Sequence, residues 1–327
     1  MSQTTAGHSS RVGPQDLSIT VPAAIRAEDK PYIFVNGSML PKNQASVSVF
    51  DHGLLYGDGI FEGIRVYRGK IFKCGQHMDR LWRCAERIKL QIPYSREEMV
   101  EIQRRCIETN EIVDGYIRLI VTRGVGTLGL NPYACPRAGV ICIADQIRLY
   151  PQEMYEQGMK VVVAERPRIP IDCLDPRIKS LNYLNNILAK MEALDQGLFE
   201  VIMLNTEGFV SEGSGDNIFI IKDGKVITPP DTAGILQGIT RRFVIEELCP
   251  KLGIPCEERL FRIEELLEAD EVFLTGSAAE IIAVTKVGER PSKGGAEFVI
   301  SDGEGEITKR LRTAFREVVT NDPIPED

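Results

Sequence analysis

One lysine precedes a serine and an Asn-Tyr pair in the stretch Arg177-Ile178-Lys179-Ser180-Leu181-Asn182-Tyr183. Further along, the chain reads Ser211-Glu212-Gly213-Ser214-Gly215-Asp216-Asn217 and then Gly234-Ile235-Leu236-Gln237-Gly238-Ile239-Thr240-Arg241. A lysine amine can form a Schiff base with an aldehyde cofactor, and a carboxylate can keep a pyridine nitrogen protonated. The N–H groups of a Gly-Ile-Thr turn at a helix start can bind phosphate. Together the three stretches indicate a pyridoxal phosphate site.

Each stretch alone has a simpler interpretation. Most lysines are solvated surface residues, so Lys179 by itself would be interpreted as one of them. The Ser-Glu-Gly-Ser-Gly run is typical of a turn, and Gly238-Ile239-Thr240 before Phe243, Val244 and Leu248 is typical of a helix start. The order of the three stretches along the chain is what favours the cofactor site.

Further motifs lie on either side of these stretches. Phe61-Glu62-Gly63-Ile64-Arg65 lies within the run from Asp51 to Tyr67, and Gln76-His77-Met78-Asp79-Arg80-Leu81 contains a His-x-x-Arg-Leu pattern. Near the carboxyl end the chain reads Asp270-Glu271-Val272-Phe273-Leu274-Thr275-Gly276-Ser277-Ala278-Ala279-Glu280. In this order, from about Pro31 to Phe315, the motifs resemble those of the class IV aminotransferases, and the Phe-Glu-Gly-Ile-Arg core is similar to the branched-chain members.

This resemblance implies an α/β (α+β) fold of two domains, the fold type IV architecture, with pyridoxal 5′-phosphate in the cleft between them, where small-molecule sites are common. Lys179 is expected to be the catalytic residue, which holds the cofactor and then moves a proton of the substrate. Glu212 is expected at the pyridine nitrogen and Tyr183 at the ring oxygen O3′. The residues expected to bind the phosphate are Arg80, Gly238, Ile239, Thr240 and Ser277.

The resemblance also implies a pocket for small amino acids and 2-oxo acids. Arg118, in Tyr116-Ile117-Arg118, would meet the side-chain carboxylate of glutamate or 2-oxoglutarate. Tyr56 and the loop from Gly126 to Pro132 would reach into the neighbouring subunit's site, so a homodimer is expected, with a higher oligomer left open. The residues expected to contact substrate are Tyr56, Phe61, Gly63, Arg65, Tyr116, Arg118, Leu130, Ser277, Ala278 and Ala279.

Some positions depart from the branched-chain pattern. Leu119 follows Arg118 where that pattern has proline, and Thr122-Arg123-Gly124 and Lys179-Ser180-Leu181-Asn182 resemble the D-amino acid aminotransferases. The chain lacks, after Gly124, the Arg-x-His with which those enzymes bind the substrate carboxylate. We therefore expect transamination between L-leucine, L-isoleucine or L-valine and 2-oxoglutarate. A D-amino acid aminotransferase, an aminodeoxychorismate lyase and a non-catalytic pyridoxal phosphate-binding protein are the alternatives.

Composition agrees with a soluble enzyme and says little more. The 39 Lys and Arg against 47 Asp and Glu give a net charge of −8, which argues against a nucleic-acid or anionic-membrane partner. The eight cysteines form no C-x-x-C pair and the three histidines are scattered, so we expect no disulfide framework and no metal site. No apolar run approaches the ~20 residues that span a bilayer, and the amino terminus lacks a secretory signal pattern. A cytoplasmic location is expected.

Hydrophobic periodicity predicts alternating strands and helices. Tyr32 to Val35 followed by Asn36-Gly37 predicts a hairpin, and Ser95-Arg96-Glu97-Glu98 is a capping box that predicts a helix start. A weaker pattern around Tyr150-Pro151 predicts a domain boundary. The expected organisation is an amino-terminal extension at 1–28, a small domain at 29–148, a linker at 149–158 and a large cofactor-binding domain at 159–327.

Overall fold

The computed structural model describes residues 27–147 and 150–321 of the chain. These residues form two β-sheets, and each sheet is covered by helices. Most of the amino-terminal extension expected at 1–28 lies outside the described residues, as do positions 148 and 149 beside the predicted boundary.

The first sheet is six-stranded and antiparallel throughout. Its strands are β1 (Tyr32–Val35), β2 (Ser38–Pro41), β3 (Gly59–Tyr67), β4 (Lys70–Ile71), β5 (Gly115–Thr122) and β6 (Gly139–Asp145). They run in the order β2-β1-β6-β5-β3-β4. The central strands β3 and β5 pair along their whole length, which places Gly63 opposite Arg118 and Arg65 opposite Tyr116. This register brings several candidate substrate residues onto neighbouring strands.

The second sheet is nine-stranded and mixed. Its strands are β7 (Met159–Val163), β8 (Val201–Leu204), β9 (Val210–Glu212), β10 (Asn217–Lys222), β11 (Lys225–Thr228), β12 (Cys256–Glu258), β13 (Glu271–Gly276), β14 (Glu280–Gly288) and β15 (Glu297–Val299). The order is β12-β11-β10-β13-β14-β7-β8-β9, with β15 added beside β14. The short turn between β9 and β10 and the turn between β13 and β14 lie beside each other, because β10 and β13 are antiparallel neighbours.

Helices cover both sheets. They are α1 (His52–Tyr56), α2 (Cys74–Arg87), α3 (Arg96–Asn110), α4 (Gln152–Gln157), α5 (Leu184–Leu194), α6 (Ile239–Phe243), α7 (Cys249–Leu252), α8 (Ile263–Leu267) and α9 (Glu306–Thr320). Apolar residues of α2 and α3, such as Met78 and Ile102, pack on the first sheet. Residues of α6 and α9, such as Phe243 and Phe315, pack on one face of the second sheet. No helix in the described ranges is long and apolar enough to cross a membrane.

Several predicted elements are confirmed. The Asn36-Gly37 hairpin joins β1 to β2, and Ser95 and Glu98 form the predicted capping box at the start of α3. The helix start at Gly238-Ile239-Thr240 is also present, but a π-helical segment, Val244–Leu248, separates α6 from α7. Pro250 explains the interruption, because proline has no N–H to donate and its ring clashes with the carbonyl four residues earlier.

Candidate active site

Lys179 lies where the two sheets meet. Its carbonyl accepts a hydrogen bond from Phe61 N in β3 (3.0 Å), and Leu181 N donates to Gly59 O (2.9 Å), so the lysine segment continues the edge of the first sheet. The Lys179 Nζ donates to the Tyr183 hydroxyl (3.0 Å), and the ammonium lies 4.6 Å from the centre of the Phe61 ring. The lysine is thus held at its backbone and oriented at its amine.

Glu212 is buried at the end of β9, and each of its oxygens is bound. Arg168 Nε donates to Oε1 (2.8 Å), while Leu236 N (3.0 Å) and Asn217 Nδ2 (3.1 Å) donate to Oε2. Burial raises the pKa of the Glu212 carboxyl, and the Arg168 charge and the Leu236 N–H act in the opposite direction. Lys179 also lowers it, so the two groups share one electrostatic environment.

Arg80 is held by a second buried carboxylate. Its Nε and NH2 donate to Glu62 Oε1 (2.7 Å) and Oε2 (2.6 Å), and its NH1 donates to Gln237 O (2.9 Å). His77 Nδ1 lies 2.7 Å from Glu62 Oε2. Although burial alone would raise the pKa of Glu62, Arg80 and His77 hold that pKa well below its usual range. The Glu62 carboxylate therefore stays ionised and fixes the guanidinium in one orientation.

A cavity of about 210 Å³ joins these groups. The residues predicted for the site that line it are Gly63, Arg80, Tyr116, Arg118, Lys179, Gly238, Ile239, Thr240, Ser277 and Ala278. Gly238 begins α6 without a side-chain cap, so the first N–H groups of that helix are left for another acceptor. Larger clefts, of about 620 Å³ beside α8 and about 1090 Å³ beside Trp82, lie away from Lys179 and share no lining residue with this cavity.

The Arg118 side chain lies among aromatic rings. Its guanidinium carbon is 4.5 Å from the centre of the Phe61 ring and 5.5 Å from that of Tyr116. Within the described ranges no carboxylate forms a salt bridge with Arg118. A Cβ on Gly63 would collide with the Tyr116 hydroxyl, so only glycine lets this ring cross the neighbouring strand. The result is a cation in an aromatic wall of the cavity.

Other predicted substrate residues lie outside the cavity wall. Arg65 stacks on Tyr67 (4.7 Å), and its NH2 is 3.6 Å from Glu280 Oε1. The Tyr56 hydroxyl accepts from Gly129 N (2.8 Å), which ties α1 to the loop that carries Leu130. Leu130 is 82% exposed, whereas Ala279 is fully buried behind the turn. Tyr183 contacts the site through its hydroxyl, which accepts a hydrogen bond from Lys179. The Phe61 ring contacts the site through the cations of Lys179 and Arg118.

Three residues of the site have a role that the sequence interpretation did not assign. Arg168 binds Glu212, Asn217 bridges Glu212 to the Leu236 carbonyl (2.9 Å), and Glu62 orients Arg80. Glu62 and Asn217 lie inside the quoted motifs, so the sequence could have identified them as site residues. Arg168 lies 44 positions from its partner, in a segment with no motif, and no pattern in the sequence links the two.

Comparison with known proteins agrees with this geometry. Residues 59–287 match the family described as amino-transferase class IV. A relative from Methanocaldococcus jannaschii, whose name assigns it provisionally to the branched-chain-amino-acid aminotransferases, is 44% identical over 88% of this chain and 96% of its own length. The D-alanine aminotransferase of Staphylococcus epidermidis is 36% identical over 89% of this chain and 99% of its own.

The architecture is also that of a solved family member. The branched-chain amino acid aminotransferase of Escherichia coli superposes with a TM-score of 0.83 at 35% identity, covering 90% of this chain and 96% of that one. Two sheets with a lysine in one cavity with a helix start match the fold type IV architecture of the pyridoxal phosphate enzymes. The chain belongs to the class IV aminotransferases, a family that uses pyridoxal 5′-phosphate.

Proposed function

We propose that this protein transfers amino groups between L-branched-chain amino acids and 2-oxoglutarate. The observation that carries the proposal is that Lys179 and the guanidinium of Arg118, which has no carboxylate partner in the described ranges, line one cavity. Aromatic rings around a single cation suit both an aliphatic side chain and the distal carboxylate of glutamate. The branched-chain aminotransferases among the relatives and solved structures support the same choice.

The residues of the cavity fit the cofactor of the family. The charge of Lys179 lowers the pKa of the buried Glu212 carboxyl, and α6 begins without a side-chain cap. The hydroxyl of Thr275, in the cavity wall, is buried without a hydrogen-bond partner among the described residues. When bound, pyridoxal 5′-phosphate supplies an electron sink for the α-carbon of an amino acid.

In the proposed mechanism Lys179 would hold the cofactor through Nζ. When a substrate amine takes its place, the free Lys179 amine would act as the base that accepts the proton from the substrate α-carbon and later gives it up. The Tyr183 hydroxyl, 3.0 Å from Nζ, orients the amine and would then donate to the ring oxygen. Glu212, fixed by Arg168, would hold a proton on the pyridine nitrogen, and that positive charge would in turn favour ionised Glu212.

The phosphate would be bound by Arg80 and the start of α6. Arg80 lines the cavity and is already oriented by Glu62, and the N–H groups of Ile239 and Thr240 start a helix. A fixed cation together with a helix start favours a dianion. Ser277, in the turn between β13 and β14, would complete this phosphate site, and the Ala278 and Ala279 N–H groups would bind the substrate α-carboxylate.

We further propose a homodimer with shared sites. Leu54 in α1 and Leu128 and Leu130 in the loop after β5 expose large apolar side chains, and the bond from Gly129 to Tyr56 joins the helix to that loop. Apolar loops of this kind are typical of a protein interface. Light scattering at several protein concentrations tests the assembly. The domain limits 29–148, 149–158 and 159–327 and a cytoplasmic location belong to the proposal as well, and limited proteolysis and cell fractionation test them.

A specific observation bears on the D-amino acid alternative. A D-alanine aminotransferase is among the relatives, but Arg123 is engaged by Asp58 (2.9 Å) and by two backbone carbonyls, outside the cavity. From Gly124 to Asn131 the chain has neither arginine nor histidine. These facts favour the L-selective function over an enzyme that binds the substrate carboxylate from this loop.

The direct test is product analysis with the purified holoenzyme. L-Leucine and 2-oxoglutarate should give L-glutamate and 4-methyl-2-oxopentanoate in equal amounts, as measured by chiral chromatography. With D-alanine or D-leucine as the donor no product should form, and formation of D-glutamate in that reaction would contradict the proposal in favour of the D-selective alternative. Pyruvate release from aminodeoxychorismate without an acceptor would indicate a lyase, and the absence of any product from amino acids of either configuration would indicate a binding protein.

A further inference from the structure

A cluster of polar side chains, buried except for one lysine, lies in the cavity wall beyond the residues that would bind the cofactor. The Tyr150 hydroxyl donates to Asp216 Oδ2 (3.0 Å), and Lys190 Nζ donates to Glu200 Oε2 (3.0 Å). The other oxygen of Glu200 accepts from Val201 N and Ser214 N, at 2.8 Å each. Tyr150, Lys190, Glu200 and Asp216 line the same cavity as Lys179. None of the roles assigned above uses them.

Asp216 packs against the start of the turn that would bind the substrate carboxylate. The register of β10 with β13 pairs Asn217 with Thr275, which sets Asp216 beside Gly276. A Cβ on Gly276 would overlap Asp216 Oδ1. Asp216 is 6% exposed, and its carbonyl accepts from Gly213 N (2.7 Å), so the backbone on which the carboxylate stands is also held. A shift of Asp216 would therefore move Gly276 and the turn that follows it.

Tyr150 belongs to the segment that joins the two sheets. Ile147, three residues earlier, lines the cavity from this segment. The Tyr150 ring packs edge-on against Phe199 (6.3 Å) and lies 6.4 Å from the Tyr155 ring in α4. Its hydroxyl bond to Asp216 thus connects two walls of the cavity, the joining segment on one side and the Gly276 turn on the other.

We propose that Tyr150 and Asp216 are positioning residues that set the distance between the joining segment and the Gly276–Ala279 turn, and through it the affinity for the substrate's α-carboxylate and side chain. The proposal rests on the function proposed above. It assigns neither residue a part in proton transfer. Their effect is on substrate binding, because a carboxylate site made of backbone N–H groups depends on the placement of its turn.

The chemistry of the pair agrees with a functional role. Burial and the neighbouring Glu200 raise the pKa of Asp216 to about 7, whereas Tyr150 and Lys190 act in the opposite direction. Burying two carboxylates near one lysine costs desolvation free energy, and well-packed apolar residues would stabilise the turn at least equally well. Stability alone therefore does not explain these residues. Strongly perturbed carboxyl groups in a cleft concentrate at functional sites.

The test uses the holoenzyme and three variants. Tyr150→Phe removes only the hydroxyl, and Asp216→Ala removes the acceptor. We expect each to raise KM for 2-oxoglutarate and L-leucine about tenfold, the usual effect of one lost hydrogen bond, with kcat changed less than about threefold. Asp216→Asn keeps an acceptor oxygen and should restore KM. Tyr155→Phe removes a hydroxyl from the adjoining helix, leaves the Tyr150–Asp216 bond intact and is the matched control.

A second readout does not depend on turnover. The Kd of 4-methylpentanoate, an unreactive aliphatic carboxylate, measured by calorimetry, should rise about tenfold in Tyr150→Phe and stay unchanged in Tyr155→Phe. Unchanged KM and Kd in both Tyr150→Phe and Asp216→Ala would overturn the inference, as would a fall in kcat alone. Failure of the proposed function has a separate signature, a wild-type protein that does not transaminate, and the Kd comparison still tests the pair in that case.

Discussion

The two walls of the Lys179 cavity are built differently. Behind the wall that would meet the cofactor, the buried carboxylates Glu212 and Glu62 are each bound to an arginine, at 2.8 and 2.6–2.7 Å. On the wall that would meet the substrate, Arg118 lies against aromatic rings with no carboxylate partner in the described part of the chain. Fixed pairs preorganise charge before a ligand arrives, whereas an unpaired cation is available to the ligand itself. Under the proposed function, one side of the cavity would therefore set the chemistry and the other the selectivity.

The largest effect should follow from Lys179→Ala. No other lysine of the cavity wall lies beside the Tyr183 hydroxyl, since Lys190 is bound to Glu200. We expect transamination to fall by roughly a thousandfold or more, together with loss of the cofactor's lysine-linked absorbance. Lys222→Ala, on the surface beside Glu268, is the control and should keep both the transamination activity and the cofactor absorbance of wild type. Turnover within tenfold of wild type would refute the assignment of Lys179.

Glu212→Gln should give the next largest loss of activity, and it changes only the side of the cavity that would meet the cofactor. A neutral amide no longer favours a protonated pyridine nitrogen, so kcat should fall on the order of a hundredfold or more while the cofactor stays bound. Glu62→Gln is the matched change, and it should instead weaken cofactor affinity because it releases Arg80. Equilibrium dialysis and single-turnover rates separate the two effects. If Glu212→Gln only weakens cofactor binding, Glu212 is structural.

Arg118→Ala probes the substrate wall. Loss of a charge partner for a carboxylate in a dehydrated site costs on the order of 2–5 kcal/mol. The value of kcat/KM for L-glutamate and 2-oxoglutarate should therefore fall roughly thirty- to several-thousandfold, whereas L-leucine should lose far less. Arg65→Ala is the comparison, because Arg65 lies beside Glu280 and Tyr67. Equal losses for both amino acids in Arg118→Ala would mean that Arg118 supports the fold or binds the α-carboxylate.

The smallest effect concerns pH and stability. The pKa of Asp216, about 7, is raised above that of an unfolded aspartate, about 3.9. Its stabilising contribution is complete below about pH 4 and is lost as the pH rises through about 7. The difference in Tm between Asp216→Asn and wild type should therefore become more positive from pH 5 to pH 8, on the order of 5 °C. A pH-independent difference, measured by calorimetry, would mean that Asp216 does not titrate in this range.

Local signals in the sequence were sufficient for part of the fold. The Asn36-Gly37 hairpin and the Ser95–Glu98 capping box were predictable, because each depends on residues a few positions apart. The helix α9 was not predicted, and its start explains why. Gly305 provides no side-chain cap, and the first N–H groups, those of Ile307 and Thr308, bind Glu271 on β13 instead. A cap supplied from another element leaves no local trace in the sequence.

The candidate site shows the same difference between local sequence signals and contacts from distant segments. Lys179, Glu212 and the Gly238 turn stand in short motifs, and the structure brings them to one cavity or its border. The residues that fix their charges come from distant segments, as Arg168 does for Glu212. The placement of Arg65 beside Glu280 depends on the packing of α9 and β14, which no motif specifies. Residue types for the chemistry were predictable, and the partners that tune them were not.

The most direct measurement is a half-reaction panel on the wild-type holoenzyme, in which the absorbance of the cofactor is followed as single amino acids are added. The account predicts that L-leucine, L-isoleucine, L-valine and L-glutamate each convert the cofactor to its amine form at low concentration. D-Alanine and D-glutamate should leave the spectrum unchanged under the same conditions. Faster conversion by D-alanine than by L-leucine, or no conversion by any amino acid, would contradict the account.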